Sequence, residues 1–236
     1  MTKTYIIADL HGRHDLLIAA IERIEQASHS GGTIVFTGDY VDRGPASRQV
    51  IETLMAGPSD PDRWKWICLR GNHEEIMHTC CLVTGMVDRW WLPNGGGATL
   101  MSYGQKVGDD IDTSVVPRPH LAWISSLPVI HNDGKRLFVH AGVQDGVPLD
   151  KQDEQKNTWM LYPDGAEDGY GHLHVVHGHH QYEEGPMLFA GRSNFDTFAW
   201  YTGRLVIGVF DDAIEGGPVS TIEIKGPTIH ELREAA

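Results

Sequence analysis

The sequence predicts an α/β fold with mixed sheets in a single domain. Three observations support this prediction: apolar strands alternate with helical patterns in the first third, hairpin signals follow later, and no repeat or low-complexity linker interrupts the chain. A chain of 236 residues is long enough for one well-buried core. We therefore expect residues 1–236 to form one domain.

The first third of the chain predicts three parallel strands. The apolar runs "TYIIA", "TIVFT" and "WKWICLR" are each followed by a loop and a helical pattern. In the first of these helices, "RHDLLIAAIERIEQA", apolar residues recur at helical spacing. Strands that alternate with helices form right-handed βαβ units, so the sheet is expected to be parallel here.

The later part of the chain predicts largely antiparallel pairing. An Asp-Gly pair divides "PVIHNDGKRLFVHAG", and a Thr-Gly pair divides "TFAWYTGRLVIGVF". Both are hairpin signals. Between the two halves, "WWLPNGGGATLMSYG" indicates a loop and a short helix, and its two tryptophans fit either a substrate groove or the packing of that helix on the sheet.

The charge of the chain excludes a general polyanion binder. Lys and Arg number 19 against 32 Asp and Glu, which gives a net charge of -13. Affinity for nucleic acid comes from basic surface, so we expect no nucleic-acid partner. If the substrate carries phosphate, a few arginines or bound cations must supply positive charge locally.

The three cysteines indicate a reducing compartment. Cys68, Cys80 and Cys81 are odd in number and two are adjacent, which fits neither a disulfide framework nor a CxxC zinc site. No apolar stretch approaches the ~20 residues of a membrane span. We expect a cytoplasmic protein without a membrane partner.

Five polar motifs follow predicted strands, where open α/β sheets place their ligand crevice. The loops are expected to converge if the strands lie side by side. The motifs are "ADLHGR" (Asp9, His11), "GDYVDRG" (Asp39, Asp42, Arg43), "RGNHE" (Arg70, Asn72, His73), "HAG" (His140) and "HGHH" (His177, His179, His180).

The side chains of these motifs suit metal ions. Carboxylate, imidazole and amide oxygen, without thiolate, favour divalent ions such as Mn, Fe, Zn or Mg. Asp9 and His11 alternate, so both can face one ion from an extended strand end. Asn72, His140 and one histidine of "HGHH" can hold a second ion, and Asp39 is left to bridge the two. Two ions ~3.5–4 Å apart can hold a phosphoryl oxygen and activate a water.

In order and spacing, "DLHGR", "GDYVDRG", "RGNHE", "HAG" and "GHH" resemble the phosphoprotein phosphatase (PPP) family of dinuclear metallophosphoesterases, in the compact form of the bacterial serine/threonine protein phosphatases. The match runs from about Asp9 to Gly208, and GDxVDRG together with RGNHE is very specific. The resemblance implies a calcineurin-like metallophosphoesterase domain with a central β-sandwich flanked by helices.

The resemblance also implies the ligands of two divalent ions, with manganese as the first expectation and Fe, Zn or Mg as alternatives. His179 is chosen over His177 because the family's ligand directly follows the small residue, here Gly178. The implied ligands are Asp9, His11 and Asp39 for the first ion, and Asp39, Asn72, His140 and His179 for the second.

The catalytic residues implied by the resemblance are His73 as general acid and Asp42 as the carboxylate that orients it. A departing alkoxide needs a proton, and a positioned histidine typically contributes ~10²–10⁴ in rate. Arg43 and Arg70 are expected to grip the phosphate oxygens through charge-assisted contacts.

One departure concerns a third arginine. Bacterial relatives often read "WIR" after the HAG segment, whereas this chain reads "WML" at Trp159 to Leu161. Arg192 and Arg204 are the candidates to replace the missing arginine. The departure bears on substrate identity more than on metal binding.

The expected function is a metal-dependent phosphomonoesterase whose dinuclear centre activates a water for in-line attack on phosphorus. A serine/threonine protein phosphatase is the first expectation, acting on a phosphorylated protein or a small phosphoester. A bis(5'-nucleosyl)-tetraphosphatase on the same scaffold is the alternative. A catalytically idle relative that binds phosphoproteins is the third hypothesis.

Overall fold

The computed structural model describes residues 2–82 and 87–235, without the side chain of residue 88. The strands are β1 (Lys3–Ile7), β2 (Gly32–Phe36), β3 (Trp64–Cys68), β4 (Ile130–Asn132), β5 (Arg136–Val139), β6 (His174–His177), β7 (Met187–Leu188), β8 (Arg192–Asn194), β9 (Arg204–Asp211) and β10 (Ser220–Lys225). The α-helices are α1 (His14–Ala27), α2 (Ser47–Ala56), α3 (Asn72–Leu82), α4 (Gly96–Ser102), α5 (Arg118–Ser126), α6 (Glu154–Trp159), α7 (Ala199–Thr202) and α8 (Ile229–Glu234). A π-helical turn (Val87–Trp91) and a 3₁₀ turn (Leu92–Asn94) precede α4.

The strands form two mixed sheets of five strands each, in the orders β10-β9-β1-β2-β3 and β4-β5-β6-β8-β7. Strands β1, β2 and β3 are parallel, as the alternation of strands and helices predicts. In the second sheet β4 and β7 pair antiparallel at the edges, but β5, β6 and β8 are parallel. The prediction of largely antiparallel pairing is therefore wrong for the centre of this sheet, because helix- and loop-containing crossovers connect β5, β6 and β8. The prediction of an α/β fold with mixed sheets is confirmed.

An apolar layer joins the two sheets. Ile6 and Val35 from the first sheet pack with Phe138 and Val176 from the second. Because successive side chains of a strand point to opposite faces, Tyr5 lies in a different cluster, under the helices that cover the first sheet. The chain therefore forms a β-sandwich flanked by helices, as the family resemblance implies.

One of the two predicted hairpins is confirmed and the other is wrong. Asp133 and Gly134 turn the chain between β4 and β5, which pair antiparallel, and Gly134 has a φ of 91°. The Thr-Gly pair at 202–203 instead ends α7, with Gly203 at a φ of 75°. A glycine in the left-handed region serves a helix terminus as well as a hairpin, so the sequence signal was ambiguous.

The sandwich brings five strand ends together at one edge. Strands β1, β2, β3, β5 and β6 each end just before one of the five polar motifs. The His140 ring contacts the carbonyl oxygen of Thr37 across the sheets, with 2.8 Å between Nδ1 and O. The carbonyl of His140 accepts a bond from the N–H of Gly178. Within the described part of the chain, no helix is long and apolar enough to cross a bilayer.

Candidate active site

The carboxylate of Asp39 lies between two groups of possible metal ligands. One group is His11, Asp39 and His73, and the other is Asp39, His140 and His179; in each, one ligand atom per residue lies within 4.8 Å of the others. Asp39 Oδ2 is 3.4 Å from His11 Nε2, and Asp39 Oδ1 is 3.4 Å from His140 Nε2. One carboxylate thus faces both groups, which is the arrangement that a bridging ligand requires.

Backbone carbonyls fix the tautomers of two of these histidines. Nδ1 of His11 is 2.7 Å from the carbonyl oxygen of Val41, and Nδ1 of His140 is 2.8 Å from that of Thr37. A carbonyl oxygen only accepts, so Nδ1 carries the hydrogen in both rings. Burial lowers the pKa of both rings. Each neutral ring therefore presents the lone pair of Nε2 toward Asp39, as metal-binding histidines do.

The second group fits a cation because acceptors face acceptors. His140 Nε2 lies 3.4 Å from Asp39 Oδ1 and 3.2 Å from His179 Nδ1. The Asn72 amide lies 2.9 Å from the same nitrogen; its oxygen would face a bound cation, and without a cation its nitrogen would donate to His140 and Asp39. Asp39 is only 2% exposed, so water cannot readily satisfy these atoms. Burial raises the pKa of Asp39, but the positive charge that the facing histidines, His140 first, carry when they are protonated outweighs burial and lowers the pKa. Oxygen and imidazole nitrogen suit Mn, Fe, Zn or Mg.

In the first group, the guanidinium of Arg43 already supplies positive charge. Its nitrogens lie 3.0 Å from His11 Nε2 and 3.0 Å from His73 Nε2. Asp9 belongs to neither close group: its carboxylate accepts the backbone N–H of His179 at 3.1 Å. Asp9 therefore lies in the neighbouring loop, but the ligand role implied for it stays a prediction.

Three carboxyl groups are buried together beside the first group. Burial, the Asp196 carboxylate and then the Asp39 carboxylate raise the pKa of Asp9 well above its usual value. Burial likewise raises the pKa of Asp196 to about 7, and its Oδ2 has no hydrogen-bond partner among the described residues. Such a cluster favours a bound cation. Asp196 was not assigned from the sequence, since it belongs to none of the five motifs.

Backbone strain is concentrated at the candidate site. In the described ranges, seven residues other than glycine have a positive φ, which ordinary side chains adopt rarely. Six of them are predicted site residues. Residues held in such conformations cluster where side chains must be aimed. The six are Asp9 (49°), His11 (42°), Asp39 (56°), Asp42 (72°), Arg43 (68°) and His179 (67°).

Glu74 holds the strained loop in place. Its carboxylate accepts the backbone N–H groups of Asp39 at 2.8 Å, Tyr40 at 2.7 Å and Gly71 at 2.9 Å. The side chain is fully buried at the start of α3. Burial first, and the Asp39 carboxylate next, raise the pKa of Glu74 to about 7. Glu74 is the last residue of the "RGNHE" motif, so the sequence marked its position. The motif spacing does not show which backbone N–H groups it binds.

The predicted acid pair is formed in the structure. His73 Nδ1 lies 2.7 Å from Asp42 Oδ2. Asp42 Oδ1 accepts bonds from Trp91 Nε1 at 2.8 Å and from the Thr99 hydroxyl at 2.7 Å. Burial opposes the protonated form of His73, but the carboxylates of Asp39 and Asp42 outweigh it and raise its pKa. A protonated histidine held by an oriented carboxylate can serve as a general acid.

The two tryptophans before α4 therefore belong to packing. Trp91 is fully buried and supports Asp42, while Trp90 stacks on Trp159 with ring centroids 6.2 Å apart. Neither the role of Trp91 nor that of Thr99 was identified from the sequence. Both act across more than 45 positions of the chain, so no local pattern marks them.

The structure separates the two predicted phosphate arginines. Arg43 lines a cavity of about 340 Å³ whose walls include Asp39, His73, His179 and Leu161. Arg70 does not line this cavity but pairs with Glu154 at 2.6 Å. Leu161, at the position of the missing arginine, is an exposed apolar wall of the cavity. The role of Arg70 at the phosphate stays a prediction.

The two candidate replacements for the missing arginine are engaged elsewhere. Arg192 donates to the carbonyl of Ala166 and lies 3.0 Å from His177 Nε2. Arg204 pairs with Glu223 at 2.7 Å. Neither arginine lines the cavity that contains Arg43 and His73. His177, whose Nε2 lies beside Arg192, belongs to neither of the two groups of possible metal ligands.

This fold and site define a hydrolase of phosphoester bonds that uses divalent metal ions. The profile of the calcineurin-like phosphoesterase family matches residues 2–209. The chain therefore belongs to that family, which is consistent with its resemblance to the PPP phosphatases.

Two curated relatives carry tetraphosphatase names. The chain is 25% identical over 224 residues to "Bis(5'-nucleosyl)-tetraphosphatase PrpE [asymmetrical]" of Anoxybacillus flavithermus, covering 85% of this chain and 87% of the relative. It is 30% identical over 143 residues to "Bis(5'-nucleosyl)-tetraphosphatase, symmetrical" of Neisseria gonorrhoeae, covering 59% of this chain and 43% of the relative.

Solved structures share the fold at lower identity. A structure described as a candidate diadenosine tetraphosphatase superposes with a TM-score of 0.63 and 19% identity, covering 96% of this chain and 94% of that one. The cold-active protein-tyrosine phosphatase of a psychrophilic Shewanella species gives a TM-score of 0.61 and 16% identity, covering 95% and 81%. At these identities the likeness concerns the fold alone.

Proposed function

We propose that the protein is a bis(5'-nucleosyl)-tetraphosphatase, which hydrolyses a phosphoanhydride bond of a dinucleoside tetraphosphate. The observation that carries this proposal is the relative of that name whose match covers 85% of this chain. The site is compatible with it, because the cavity beside Arg43 has the apolar Leu161 where bacterial relatives often have an arginine, and the departure bears on substrate identity. This ranking reverses the expectation from sequence, which placed a serine/threonine protein phosphatase first.

The residues of this chain would divide the reaction as follows. Water adds to phosphorus, the P–O bond to the bridging oxygen breaks, and that oxygen leaves with the remaining phosphate chain. Arg43 binds phosphoryl oxygens through charge-assisted bonds. His73, held by Asp42 at 2.7 Å, can donate a proton to the departing oxygen.

The metal ions belong to the same proposal. Two divalent ions, with manganese first, would be held by the ligands implied by the PPP resemblance, and Asp39 would be shared. When bound, such ions neutralise phosphoryl charge and make a water molecule more acidic. The mutual approach of neutral histidines and buried carboxylates described above supports this cofactor.

A serine/threonine protein phosphatase is the second candidate, and the His73–Asp42 pair favours it. An alkoxide from a phosphoserine or phosphothreonine is a strong base that needs a proton as it leaves. The leaving group of a phosphoanhydride is a much weaker base. A fully buried and oriented acid pair is therefore most valuable in ester hydrolysis.

Product analysis decides between the two functions. Purified protein with Mn is incubated separately with diadenosine tetraphosphate and with phosphoserine and phosphothreonine peptides, and kcat/KM is measured for each. We expect the dinucleotide to be preferred by at least tenfold. ATP with AMP as products would identify asymmetric cleavage, and ADP alone would identify symmetric cleavage.

Two other outcomes would overturn the proposal. A preference for the phosphopeptides would establish the protein phosphatase instead. No phosphate release or dinucleotide cleavage, in protein that binds two ions, would favour the catalytically idle relative.

We also propose that residues 1–236 form one domain. We further propose a cytoplasmic location, which the free thiols of Cys68, Cys80 and Cys81 support.

A further inference from the structure

A second cavity adjoins the candidate active site through Arg43. It has a volume of about 510 Å³ and is lined by Arg43, Leu92, Met101, Trp200 and Arg233, among others. Arg43 also lines the cavity that contains Asp39 and His73. A ligand whose phosphate lies at Arg43 could therefore extend into the second cavity without leaving the protein surface.

The chemistry of the second cavity differs from that of the chain as a whole. The described residues that line it include two arginines and no acidic residue, although the chain has 32 acidic against 19 basic residues. Its other walls are largely apolar, with Leu92, Met101 and the half-buried indole of Trp200. Apolar walls with a few convergent polar groups are typical of small-molecule sites, whose volumes run from about 300 to 1,000 Å³.

A backbone hydrogen bond connects the wall of this cavity to the loop of Arg43, and Gly97 borders free space. The N–H of Arg43 donates to the carbonyl of Gly95 at 3.2 Å, which ties the arginine loop to the segment before α4. A Cβ placed on Gly97 would meet only Leu92 Cδ2, at 4.0 Å. The guanidinium carbon of Arg43 lies 5.5 Å from the centroid of a Trp200 ring, so charge and aromatic surface are adjacent.

We propose that this second cavity binds one nucleoside of a dinucleoside polyphosphate, with the base against Trp200 and the phosphate chain between Arg43 and Arg233. The proposal rests on the proposed function and names its specificity site. A base stacked on an aromatic side chain contributes binding for any of the four bases. Two guanidinium groups on the wall of a cavity that also offers an aromatic face match a ligand that joins a base to several phosphates.

A phosphopeptide fits the same surface less well. An extended peptide carries backbone N–H and C=O groups, and these must find partners when they are buried. Asn94 and the two arginines carry polar groups on the wall, but Leu92 and Met101 offer no partners for a peptide backbone, whereas a nucleobase presents a flat apolar face to them. A phosphopeptide is therefore an alternative occupant that the test must exclude.

The test compares substrates in variants that alter only the second cavity. Gly97→Met fills it from a position with free space, and Arg233→Ala removes an exposed charge from its wall. For each protein, the KM for diadenosine tetraphosphate is divided by the KM for a simple aryl phosphate. We expect this ratio to rise about tenfold in both variants, in line with the loss of one stacked base or one charge-assisted contact.

Arg23→Ala is the matched control, because Arg23 is an exposed arginine on α1 that does not line the cavity. Its KM ratio should equal that of the wild type. Competition supplies a second readout that does not require dinucleotide cleavage: ADP should inhibit aryl phosphate hydrolysis about tenfold more strongly than inorganic pyrophosphate. Gly97→Met should abolish that difference.

The outcomes separate this inference from the proposed function. Dinucleotide cleavage with unchanged KM ratios and equal inhibition by ADP and pyrophosphate would overturn the nucleoside site and leave the proposed function standing. Failure to cleave the dinucleotide, with ADP inhibition that depends on Gly97, would overturn the function and support the site. An increase in KM confined to a phosphopeptide would assign the cavity to peptide.

Discussion

Two regions of the candidate site differ in how their side chains are held. The edge contains Asp39 and Asp42 at the strand ends, and the rim around it contains Leu161 and Arg70. At the edge, Asp39 is 2% exposed, and Asp42 accepts bonds from two buried partners as well as facing His73. On the rim, Leu161 is 57% exposed and Arg70 has one exposed acidic partner. The edge contains the groups that would carry out chemistry, and the rim contains those that would meet the rest of the substrate.

This difference indicates which properties of the enzyme are fixed and which can vary. A buried polar group that loses its partner costs free energy of folding, so the edge tolerates little change. An exposed rim side chain can be replaced at little cost in stability. We therefore expect edge variants to lose activity on every substrate, and rim variants to alter the choice among substrates.

His73→Asn should give the largest catalytic loss. We expect turnover of an aryl phosphate to fall about 10²–10⁴-fold because the leaving oxygen loses its proton donor. Metal content should remain that of the wild type, as measured by elemental analysis of the purified protein. On diadenosine tetraphosphate the loss should be smaller, and unchanged turnover of the aryl phosphate would remove His73 from the role of acid.

Arg43→Ala and Arg70→Ala compare the edge with the rim directly. Arg43 lies beside His11 and His73, so its loss should lower kcat/KM for an aryl phosphate about 100-fold. Arg70 is engaged by Glu154, and its loss should cost about fivefold or less. Steady-state kinetics measure both values. Equal losses would show that Arg70 swings to the phosphate, as the family resemblance implies.

Thr99→Val should have a smaller effect through the orientation of Asp42. The variant keeps the shape of the side chain but removes the hydroxyl that bonds Asp42 Oδ1 at 2.7 Å. The same hydroxyl also accepts the backbone N–H of Asp42 at 2.8 Å and contacts Ser47 Oγ at 3.1 Å. We expect kcat to fall about two- to tenfold, because Asp42 loses hydrogen bonds that orient it toward His73. Thr221→Val, on the exposed face of β10, is the control. A kcat equal to that of the control would exclude orientation through Thr99.

His174 gives the smallest expected effect, and it concerns stability rather than catalysis. Burial lowers the pKa of His174 from its ordinary 6.5 to about 4. The unfolded chain therefore takes up the proton first, and stability is lost as pH falls from about 6.5 to 4. His174→Gln should reduce that loss by about 1 kcal/mol after screening by solvent. Thermal unfolding of wild type and His174→Gln between pH 6.5 and 4 measures this difference, with His230→Gln as control. The same dependence of stability on pH in wild type and His174→Gln would contradict the prediction.

The sequence predicted the site best where one short segment contains both the candidate site residues and the turn that orients them. The segment "GDYVDRG" follows β2, and three of its residues adopt the strained conformations that aim their side chains. The loops of β1, β3, β5 and β6 could be placed by the same reasoning, since carboxyl ends of neighbouring strands meet. The family profile confirms the resulting class of enzyme.

The parts that could not be predicted depend on distant contacts. Trp91 and Thr99 support Asp42 across 49 and 57 positions, and Glu74 binds a loop that precedes it by more than 30. The Arg70–Glu154 pair joins residues 84 apart. Neither periodicity nor turn chemistry records such partners, so the pairing of Arg70 and the engagement of Arg192 emerged only from the structure.

Metal content of Asp39→Asn tests most directly whether one carboxylate serves two ion sites. Wild-type protein, Asp39→Asn and Asp9→Asn are loaded with Mn, passed through a desalting column and analysed for metal per chain. The shared position of Asp39 between His11 and His140 predicts two ions in the wild type, one in Asp9→Asn and none in Asp39→Asn. A full single ion retained by Asp39→Asn would contradict the bridging role.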